Sequence, residues 1–321
     1  MSKTIVFLDA STVDFGDIDF TPIASLGTFI TYPVTKPHET ISRSKDADII
    51  ITNKVVFYAD EIAQLHKCSL IAVAATGYNT IDIKAAKNKN IAVANVPGYS
   101  REAVAQLTLC FILALANNLI KYNAATHDGS WSRSPIFTMG NWPTMCINDK
   151  VLGIMGYGDI GKRVAKLAQA FGMKVIALKR ENSYIDTSVE RYPLEEFCTM
   201  ADFISIHMPL NESTHHMVNK DFLAMMKPSA YIINMARGPI VDTKALAQAL
   251  HNNVIAGAAL DVLEQEPPDI NEPILSAPNC IITPHIGWAS RETRQALINE
   301  IAENIKAFLN GTKRNIVNET I

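Results

Sequence analysis

Three stretches of the sequence carry residue types that could bind an organic acid and move a proton. Arg237 lies in "NMARGPIVD", Glu266 in "LDVLEQEPP" and His285 in "TPHIGWAS". Arginine offers a permanently charged planar fork that suits a carboxylate, and histidine exchanges a proton near neutral pH. Each residue alone has a more ordinary interpretation, as a surface ion-pair partner, an exposed loop acid or a turn histidine. Their chemistry matters only if the fold brings them together.

A glycine-rich turn precedes these residues in the chain. "LGIMGYGDIG" places Gly156, Gly158 and Gly161 in the spacing G-x-G-x-x-G, between a predicted strand and a predicted helix. Gly156 permits a tight turn, Gly158 lets backbone approach a pyrophosphate, and Gly161 allows close helix–strand packing. The helix N-terminus then offers free N–H groups to the phosphates. This context predicts dinucleotide binding, and a purely structural glycine turn is the alternative.

Two cations follow the next strand, where an NAD-binding fold usually carries an acid. "VIALKRENSY" has Lys179 and Arg180 at that place. A carboxylate there would bind the adenosine ribose and repel a 2′-phosphate, whereas cations could neutralise the phosphate. We therefore expect NADP as the preferred cofactor. NAD is the alternative, with the cations solvated and Glu181 or Asp186 reaching the ribose.

The elements that must position these residues form a repeating strand–helix pattern. Apolar runs rich in Val, Ile and Ala do not alternate with polar residues, which is typical of parallel strands covered on both faces. Helical stretches separate them, so we predict an α/β fold with doubly wound parallel sheets. The candidate residues follow predicted strands, where open sheets bind ligands. The predicted strands are TIVFLDA, ADIIIT, SLIAVAAT, IAVANV, KVLGIMG, KVIALK, ADFISIHM, AYIINMA and AGAALDV.

Two sets of strands indicate two α/β domains, as does the length of 321 residues. The seams are predicted near "NVPGYSREAVAQ" and "TPHIGWASRETRQ", where a Gly/Pro turn precedes a helix. A last helix over about 290–310 is expected to pack on the first domain.

Composition argues against several classes of protein. Hydrophobic residues make up 48% and charged residues 19%, which allows a sizeable core. A net charge of −3 without a basic tail argues against nucleic-acid binding. Five isolated cysteines indicate a reducing compartment, and "LTLCFILALA" is about half of a membrane span. We expect a cytoplasmic protein without a membrane partner and, since no cluster has metal-ligand spacing, without a metal.

Seven motifs in order carry a resemblance to a known family. The chain resembles the D-isomer-specific 2-hydroxyacid dehydrogenases over nearly its whole length. Within them it is most similar to the glycerate dehydrogenase/hydroxypyruvate (glyoxylate) reductase branch, by "AATGYN" and "NVPGYS". The motifs are AATGYNTIDI, NVPGYSREAVAQ, LGIMGYGDIG, HMPLNEST, INMARGPIVD, ALDVLEQEPP and ITPHIGWAS.

The resemblance implies an architecture and an activity. A Rossmann cofactor domain, residues 99–288, would be inserted in a discontinuous flavodoxin-like substrate domain, residues 1–98 plus 289–321, with a cleft between them. The enzyme would transfer hydride between NAD(P)H and a small 2-keto acid, hydroxypyruvate or glyoxylate, giving the D-2-hydroxy acid. It would form a homodimer through the helix at 101–121.

The resemblance also implies a role for each matching residue. His285 would be the acid/base, paired with Glu266, and Arg237 would bind the substrate carboxylate and carbonyl. Thr76 and Gly77 would offer backbone N–H groups to that carboxylate, and Asp261 would face the nicotinamide carboxamide. The cofactor-binding set implied is Gly156, Gly158, Asp159, Ile160, Gly161, Lys179, Arg180, Met208, Pro209, Thr214, Ala236, Asp261 and His285.

The sequence departs from the family pattern at Leu107, and it is compatible with two other functions. Leu107 stands where many relatives have His, which we expect to change packing and leave the catalytic set intact. The rival functions are an NAD-dependent dehydrogenase of lactate or phosphoglycerate and a dinucleotide-sensing, corepressor-like binding protein. Residues that could shape the substrate pocket, with a structural role as the alternative for each tryptophan, are Tyr78, Asn79, Trp142 and Trp288.

Overall fold

A computed structural model describes residues 2–179 and 188–318 of the chain. The chain forms two compact units, one of Met1–Ser100 with Trp288–Ile321 and the other of Arg101–Gly287. The predicted seams stand next to these boundaries. The assignment of substrate and cofactor roles to the two units stays a prediction.

The strands are short and mostly buried on both faces. They are β1 Thr4–Phe7, β2 Thr28–Thr31, β3 Ile49–Thr52, β4 Leu70–Val73, β5 Ala92–Ala94, β6 Val151–Met155, β7 Lys174–Leu178, β8 Glu190–Tyr192, β9 Phe203–Ile206, β10 Tyr231–Asn234, β11 Gly257–Leu260 and β12 Cys280–Ile282. Four of them, β3, β4, β9 and β11, contain only buried residues. Such strands need cover from helices on both sides, which explains their continuous Val, Ile and Ala runs.

Four of the described helices begin after a residue whose side chain accepts a hydrogen bond from the first turn. The carboxylate of Asp242 accepts from the N–H of Ala245, and Ser290 caps the last helix in the same way. The helices are α1 Thr21–Ala24, α2 Thr40–Ser44, α3 Ala59–Ala63, α4 Ile83–Asn88, α5 Arg101–Ala116, α6 Leu119–His127, α7 Asp159–Ala170, α8 Leu194–Met200, α9 Lys220–Met225, α10 Thr243–His251 and α11 Arg291–Leu309.

The first unit holds a five-stranded parallel sheet in the order β2-β1-β3-β4-β5. This is the flavodoxin-like order, in which the chain reverses direction across the sheet beside β1. Helix α11 packs on this sheet, with Leu297, Ile298 and Ile301 in one core with Ile5 and Phe7. The last helix therefore completes the first unit, as predicted.

The second unit holds a seven-stranded parallel sheet in the order β12-β11-β10-β9-β6-β7-β8. Counted from β6, the first six strands follow the doubly wound dinucleotide-binding order, and its switch point lies between β6 and β9. The predicted fold class, two doubly wound α/β sheets of Rossmann and flavodoxin-like type, is confirmed.

Three strands were not among the predicted ones, and all lie at sheet edges. They are β2, β8 and β12. β2 is largely exposed, and β12 is only half-buried. An edge strand is covered less and so needs fewer apolar residues, which weakens the sequence pattern used to find it.

Within the described ranges, no single helix is long and apolar enough to cross a membrane. Helices α5 and α6, which are bent by 64° relative to each other, reach that length and apolar content only when they are taken together. Nine residues of α5 are buried in its own unit.

Candidate active site

Three neighbouring strands end beside the residues with candidate chemistry. β10, β11 and β12 are adjacent and parallel, so their carboxyl ends meet at one edge of the sheet. Arg237 follows β10, Glu266 lies in the loop after β11, and His285 follows β12. Residues far apart in sequence therefore come to one edge, where open α/β sheets bind ligands.

Glu266 and His285 form a hydrogen-bonded pair. Nδ1 of His285 lies 2.7 Å from Oε2 of Glu266. Because an ionised carboxylate only accepts, we assign the proton to Nδ1, which leaves Nε2 for a ligand. The other carboxylate oxygen accepts from the N–H of Leu263 at 3.0 Å and so fixes the side chain. The two side chains keep partial solvent exposure, so a ligand can reach the pair.

Asp261 holds the turn that carries His285. Its buried carboxylate accepts from the hydroxyl of Thr283 at 2.6 Å and from the N–H groups of Ile286 and Gly287, both at 2.8 Å. Burial raises the pKa of Asp261, and these hydrogen bonds only partly offset it. His285 has φ +55, a conformation that non-glycine residues rarely adopt, and its N–H donates to the Asp261 carbonyl at 2.9 Å. The strained backbone is thus fixed by one acid.

Arg237 stands at the end of β10 on a tightly packed turn. Its side chain is exposed, with Nη1 donating to the carbonyl of Ala236 at 2.7 Å. Buried Asn234 ties the turn by donating to the Arg237 carbonyl and accepting from the Ala236 N–H, both at 3.0 Å. A Cβ on Gly238 would overlap the carbonyl of Leu263. The turn that carries the guanidinium therefore packs directly on the loop that carries Glu266.

The glycine-rich turn fits the pyrophosphate of a dinucleotide. Gly156 has φ +95, and a Cβ there would lie 2.7–2.8 Å from backbone atoms of His207 and Met208. At Gly158 a Cβ would meet nothing within 4 Å, so backbone faces open space at the start of α7. No side chain among the described residues caps this helix. Gly161 packs against the Gly156 carbonyl. Free N–H groups and open space are what a pyrophosphate needs.

The family follows from this edge of the sheet together with a match of the chain to known proteins. Residues 109–287 match the family described as D-isomer specific 2-hydroxyacid dehydrogenase, NAD binding domain. This chain belongs to the D-isomer specific 2-hydroxyacid dehydrogenases. The predicted family is confirmed. The dehydrogenase is therefore an oxidoreductase with a nicotinamide dinucleotide cofactor, and small hydroxy and keto acids are its class of substrate.

Relatives are similar over almost the full chain. A hydroxypyruvate reductase of Blautia hydrogenotrophica is 38% identical over 320 residues, 98% of this chain and 99% of the relative. A glycerate dehydrogenase of Methylorubrum extorquens is 38% identical over 322 residues, 99% of each chain. The solved structure of an acyclic imino acid reductase in complex with NADPH and D-Arg is 29% identical, with a TM-score of 0.85 over 98% of this chain and 99% of that one.

Other predicted cofactor residues of the dehydrogenase line the same edge of the sheet. Asp159 is exposed in the first turn of α7 and pairs with Arg101 Nη1 at 3.3 Å, while Ile160 packs into the core below. Thr214 closes the loop after β9, because its hydroxyl donates to the Pro209 carbonyl at 2.8 Å. That loop starts next to the glycine-rich turn, where Met208 approaches Gly156. Contacts of these residues, of Ala236 and of Asp261 with the cofactor stay predictions.

The two predicted cations divide between described and undescribed residues. Lys179 follows β7 with an exposed side chain, and its N–H donates to the Tyr192 carbonyl at 2.9 Å. Arg180, with the alternative acids Glu181 and Asp186, lies outside the described residues. Of the two cations, Lys179 is therefore the one that the structure places at this strand end.

The predicted substrate-binding loop belongs to the other unit. Thr76 follows β4, its hydroxyl donates to the Val96 carbonyl at 2.9 Å, and its carbonyl accepts from Asn95 at 2.7 Å. These bonds shape the loop that continues into Gly77 and the exposed Tyr78 and Asn79. Their binding of a substrate carboxylate stays a prediction.

Trp142, Trp288 and Leu107 have packing partners within their own units. Trp288 packs edge-on against Tyr99, with ring centroids 6.5 Å apart. Trp142 packs edge-on against Tyr122 at 5.0 Å. Leu107 joins the core between α5 and the seven-stranded sheet. These contacts give each residue a structural role.

Two histidines near the site were missed by sequence reasoning. His207 begins the motif "HMPLNEST", and its Nε2 lies 2.5 Å from the Ser205 hydroxyl. Among the described residues its buried Nδ1 has no partner, and burial lowers the pKa of His207 to about 3. His216, which follows the motif closely, has Nε2 3.1 Å from Oε2 of Glu264, in the loop that also carries Glu266. The motifs marked both places, but pairing across 48 positions is a property of the fold.

Proposed function

We propose that this dehydrogenase transfers hydride between NADPH and a small 2-keto acid, hydroxypyruvate or glyoxylate, to give the D-2-hydroxy acid. The observation that carries the proposal is the 2.7 Å contact of His285 Nδ1 with Glu266 Oε2, beside the strand end that carries Arg237. A proton donor, its carboxylate partner and a cation for the substrate carboxylate are the groups that such a reduction needs.

Each residue has a separate task in this reaction. The dinucleotide, when bound, supplies the hydride. His285 holds a proton on Nε2 and gives it to the substrate oxygen as negative charge builds there, an effect of about 10²–10⁴-fold in rate. Glu266 stabilises the imidazolium and keeps the ring oriented. Arg237 binds the substrate carboxylate through its planar fork. In the oxidative direction, neutral His285 takes the proton back.

The choice of substrate is supported by the names of the relatives. A hydroxypyruvate reductase and a glycerate dehydrogenase each match nearly the whole chain. A panel of glyoxylate, hydroxypyruvate, pyruvate and phenylpyruvate, each with NADPH and NADH, tests the proposal. We expect the highest kcat/KM for glyoxylate or hydroxypyruvate. Faster turnover of both pyruvate and phenylpyruvate would reject this substrate class, and no turnover of any keto acid would favour a binding protein.

The preference for NADPH is supported by Lys179 at the end of β7, where a carboxylate would favour NADH. The imino acid reductase structure also holds NADPH. In Lys179→Asp, we expect the ratio of kcat/KM for NADPH to that for NADH to fall about tenfold or more, since a charge is reversed beside a phosphate. Lys174→Asp, at the other end of β7, is the control and should leave the ratio unchanged. A wild-type enzyme that strongly prefers NADH would overturn the preference.

The proposal includes a homodimer, and exposed apolar side chains support it. Helix α5, predicted to form the interface, buries nine of its residues inside its own unit. The exposed apolar residues come directly after it, at Leu119, Ile120, Trp131, Ile136 and Phe137. Such residues are typical of a surface covered by a partner. We therefore propose that the dimer surface includes residues 119–144 beside the predicted helix at 101–121.

A further inference from the structure

An arginine on edge strand β8 lies beside the end of β7. Arg191 pairs with Ala177 of β7, which in turn pairs with Ile154 of β6. Residues paired across parallel strands point to the same face, and so do residues two apart on one strand. Lys179, two residues after Ala177, extends this face, and its N–H bonds to the carbonyl of Tyr192. Arg191 therefore shares a face with Lys179 at the carboxyl end of β7.

The guanidinium of Arg191 packs on an aromatic ring, but one of its hydrogen-bond donors lacks an acceptor in the described part of the chain. Its Cζ lies 5.5 Å from the ring centroid of Tyr157. Its Nε is shielded from solvent and, within residues 2–179 and 188–318, has no hydrogen-bond partner. A buried donor without an acceptor costs free energy, and native proteins keep few of them without a reason. Arg191, packed on the ring of Tyr157 with its Nε–H unpaired by any described residue, is therefore suited to bind a ligand that supplies a hydrogen-bond acceptor.

The position of Tyr157 in the chain indicates which ligand would bind Arg191. It stands between Gly156 and Gly158, inside the turn that fits a pyrophosphate. In this fold the adenosine ribose lies between that turn and the end of the second strand, here β7. Arg191 contacts the turn through Tyr157 and neighbours the strand end through Tyr192. The group that NADPH carries at this ribose and NADH lacks is a phosphate.

We propose that Arg191 binds the 2′-phosphate of the dinucleotide and is a cofactor-specificity residue of this enzyme. This inference rests on the proposed use of NADPH. A guanidinium offers a phosphate a fork of donors in one plane, and Tyr157 holds that plane before the ligand arrives. Lys179 adds a second positive charge on the same face.

Binding of 2′,5′-ADP and 5′-AMP, measured by calorimetry, tests the assignment without turnover or a keto acid. The two ligands differ by the 2′-phosphate alone. In Arg191→Met, whose side chain still covers Tyr157, we expect at least a tenfold loss of affinity for 2′,5′-ADP and less than a twofold loss for 5′-AMP. Arg191→Lys, which keeps the charge and loses the fork, should be intermediate. Arg163→Met is the matched control, an arginine of the same unit whose Nε bonds Glu102 at 2.6 Å.

Each outcome decides for or against Arg191. An equal loss for both ligands would show a packing role on Tyr157 and overturn the assignment. A wild type that prefers 2′,5′-ADP, with the preference intact in Arg191→Met, would overturn Arg191 and leave the NADPH proposal standing. A wild type that binds 2′,5′-ADP no more tightly than 5′-AMP would overturn both the role of Arg191 and the use of NADPH. The panel of keto acids would still test the proposed reaction independently. Should Arg191→Met unfold, as judged by its Tm, the Arg191→Lys titration alone decides.

Discussion

At the residue scale, Glu266 is the partner to which we assign the Nδ1 proton of His285. Its Oε2 lies 2.7 Å from Nδ1, and its Oε1 is occupied by the N–H of Leu263. The carboxylate therefore cannot rotate away without losing a backbone donor. Asp261 fixes the backbone of the same histidine at φ +55. One acid orients the ring and another orients the turn, so the group proposed as the acid/base is positioned before a substrate arrives.

We predict that Glu266→Gln separates the two directions of the reaction by pH. The amide keeps the size of the side chain and loses the charge that stabilises the imidazolium. Reduction needs the protonated ring, so its kcat/KM should decline with rising pH at a lower pH than in the wild type. Oxidation needs the neutral ring and should suffer less near neutral pH. The measurement is the pH profile of kcat/KM in both directions for the two proteins.

Two results would contradict this assignment. Superimposable pH profiles would show that Glu266 does not act through His285. Full activity in His285→Ala would remove the acid/base role itself, since loss of such a group costs about 10²–10⁴-fold.

Residue-scale features differ in how far the sequence could predict them. Arg237, Glu266 and His285 lie in motifs, so type and position were sufficient to nominate them. The pairing of His216 with Glu264 was not, because these residues meet only when β11 and the loop after β9 reach the same edge. The turn-fixing bonds of Asp261 were missed for the same reason, since its three donors follow a different strand.

At the scale of elements, the central strands and the buried edge strand β5 were predictable, whereas the three more exposed edge strands, β2, β8 and β12, were not. β3 reads Ile-Ile-Ile-Thr and is fully buried, so its apolar run is unambiguous. β8 reads Glu-Arg-Tyr and is covered less, so its place in the sheet depends on hydrogen bonds to β7 that leave no mark on composition. That strand nevertheless carries Arg191, the residue proposed to bind the 2′-phosphate. An edge strand that the sequence pattern did not reveal is thus the one that carries the proposed determinant of cofactor specificity.

Asp48, which precedes β3, forms ion pairs with lysines that precede β1 and β4. These pairs should make the stability of the first unit depend on pH. The carboxylate of Asp48 accepts from the Thr4 N–H at 2.9 Å and meets the ammonium groups of Lys3 and Lys67 at 2.9 and 3.2 Å. Burial raises the pKa of Asp48, but these partners outweigh it and lower the pKa from 3.8 to about 2. Because the folded value is depressed, the stabilisation is present above about pH 4 and is lost as the pH falls through about 2.

We therefore predict that Asp48→Asn lowers the free energy of unfolding by about 1–2 kcal/mol at neutral pH. The difference from the wild type should shrink as the pH falls from about 4 towards 2. Urea unfolding at several pH values measures it. Asp46→Asn, an exposed neighbour in the same loop, is the control and should have little effect. A loss for Asp48→Asn that does not change with pH would mean that charge is not its cause.

At the scale of the whole molecule, the family resemblance implies a substrate domain built from both ends of the chain. "AATGYN" and the final helix flank the dinucleotide motifs, and Met1–Ser100 with Trp288–Ile321 form one compact unit, whose role in substrate binding stays a prediction. Self-association is a different matter, because no motif marks a surface. It is the structure that shows apolar side chains left exposed after α5, with Phe137 90% exposed. Trp131 and Phe137 also line one groove of about 620 Å³ with Tyr122 and Trp142.

We predict that this surface holds two copies of the chain together. Hot-spot residues near the centre of an interface, among which aromatic residues are enriched, cost about 2 kcal/mol or more when truncated, so Phe137→Ser should weaken the dimer about 30-fold or more. Sedimentation across a concentration series measures the change, with the wild type at twice the 35.3 kDa of one chain and the variant shifting towards one. Phe171→Ser removes an exposed phenylalanine elsewhere on the same unit and should leave the dimer intact. A wild type that sediments as a single chain at every concentration would refute the surface, and equal weakening by both variants would show that loss of any exposed phenylalanine suffices.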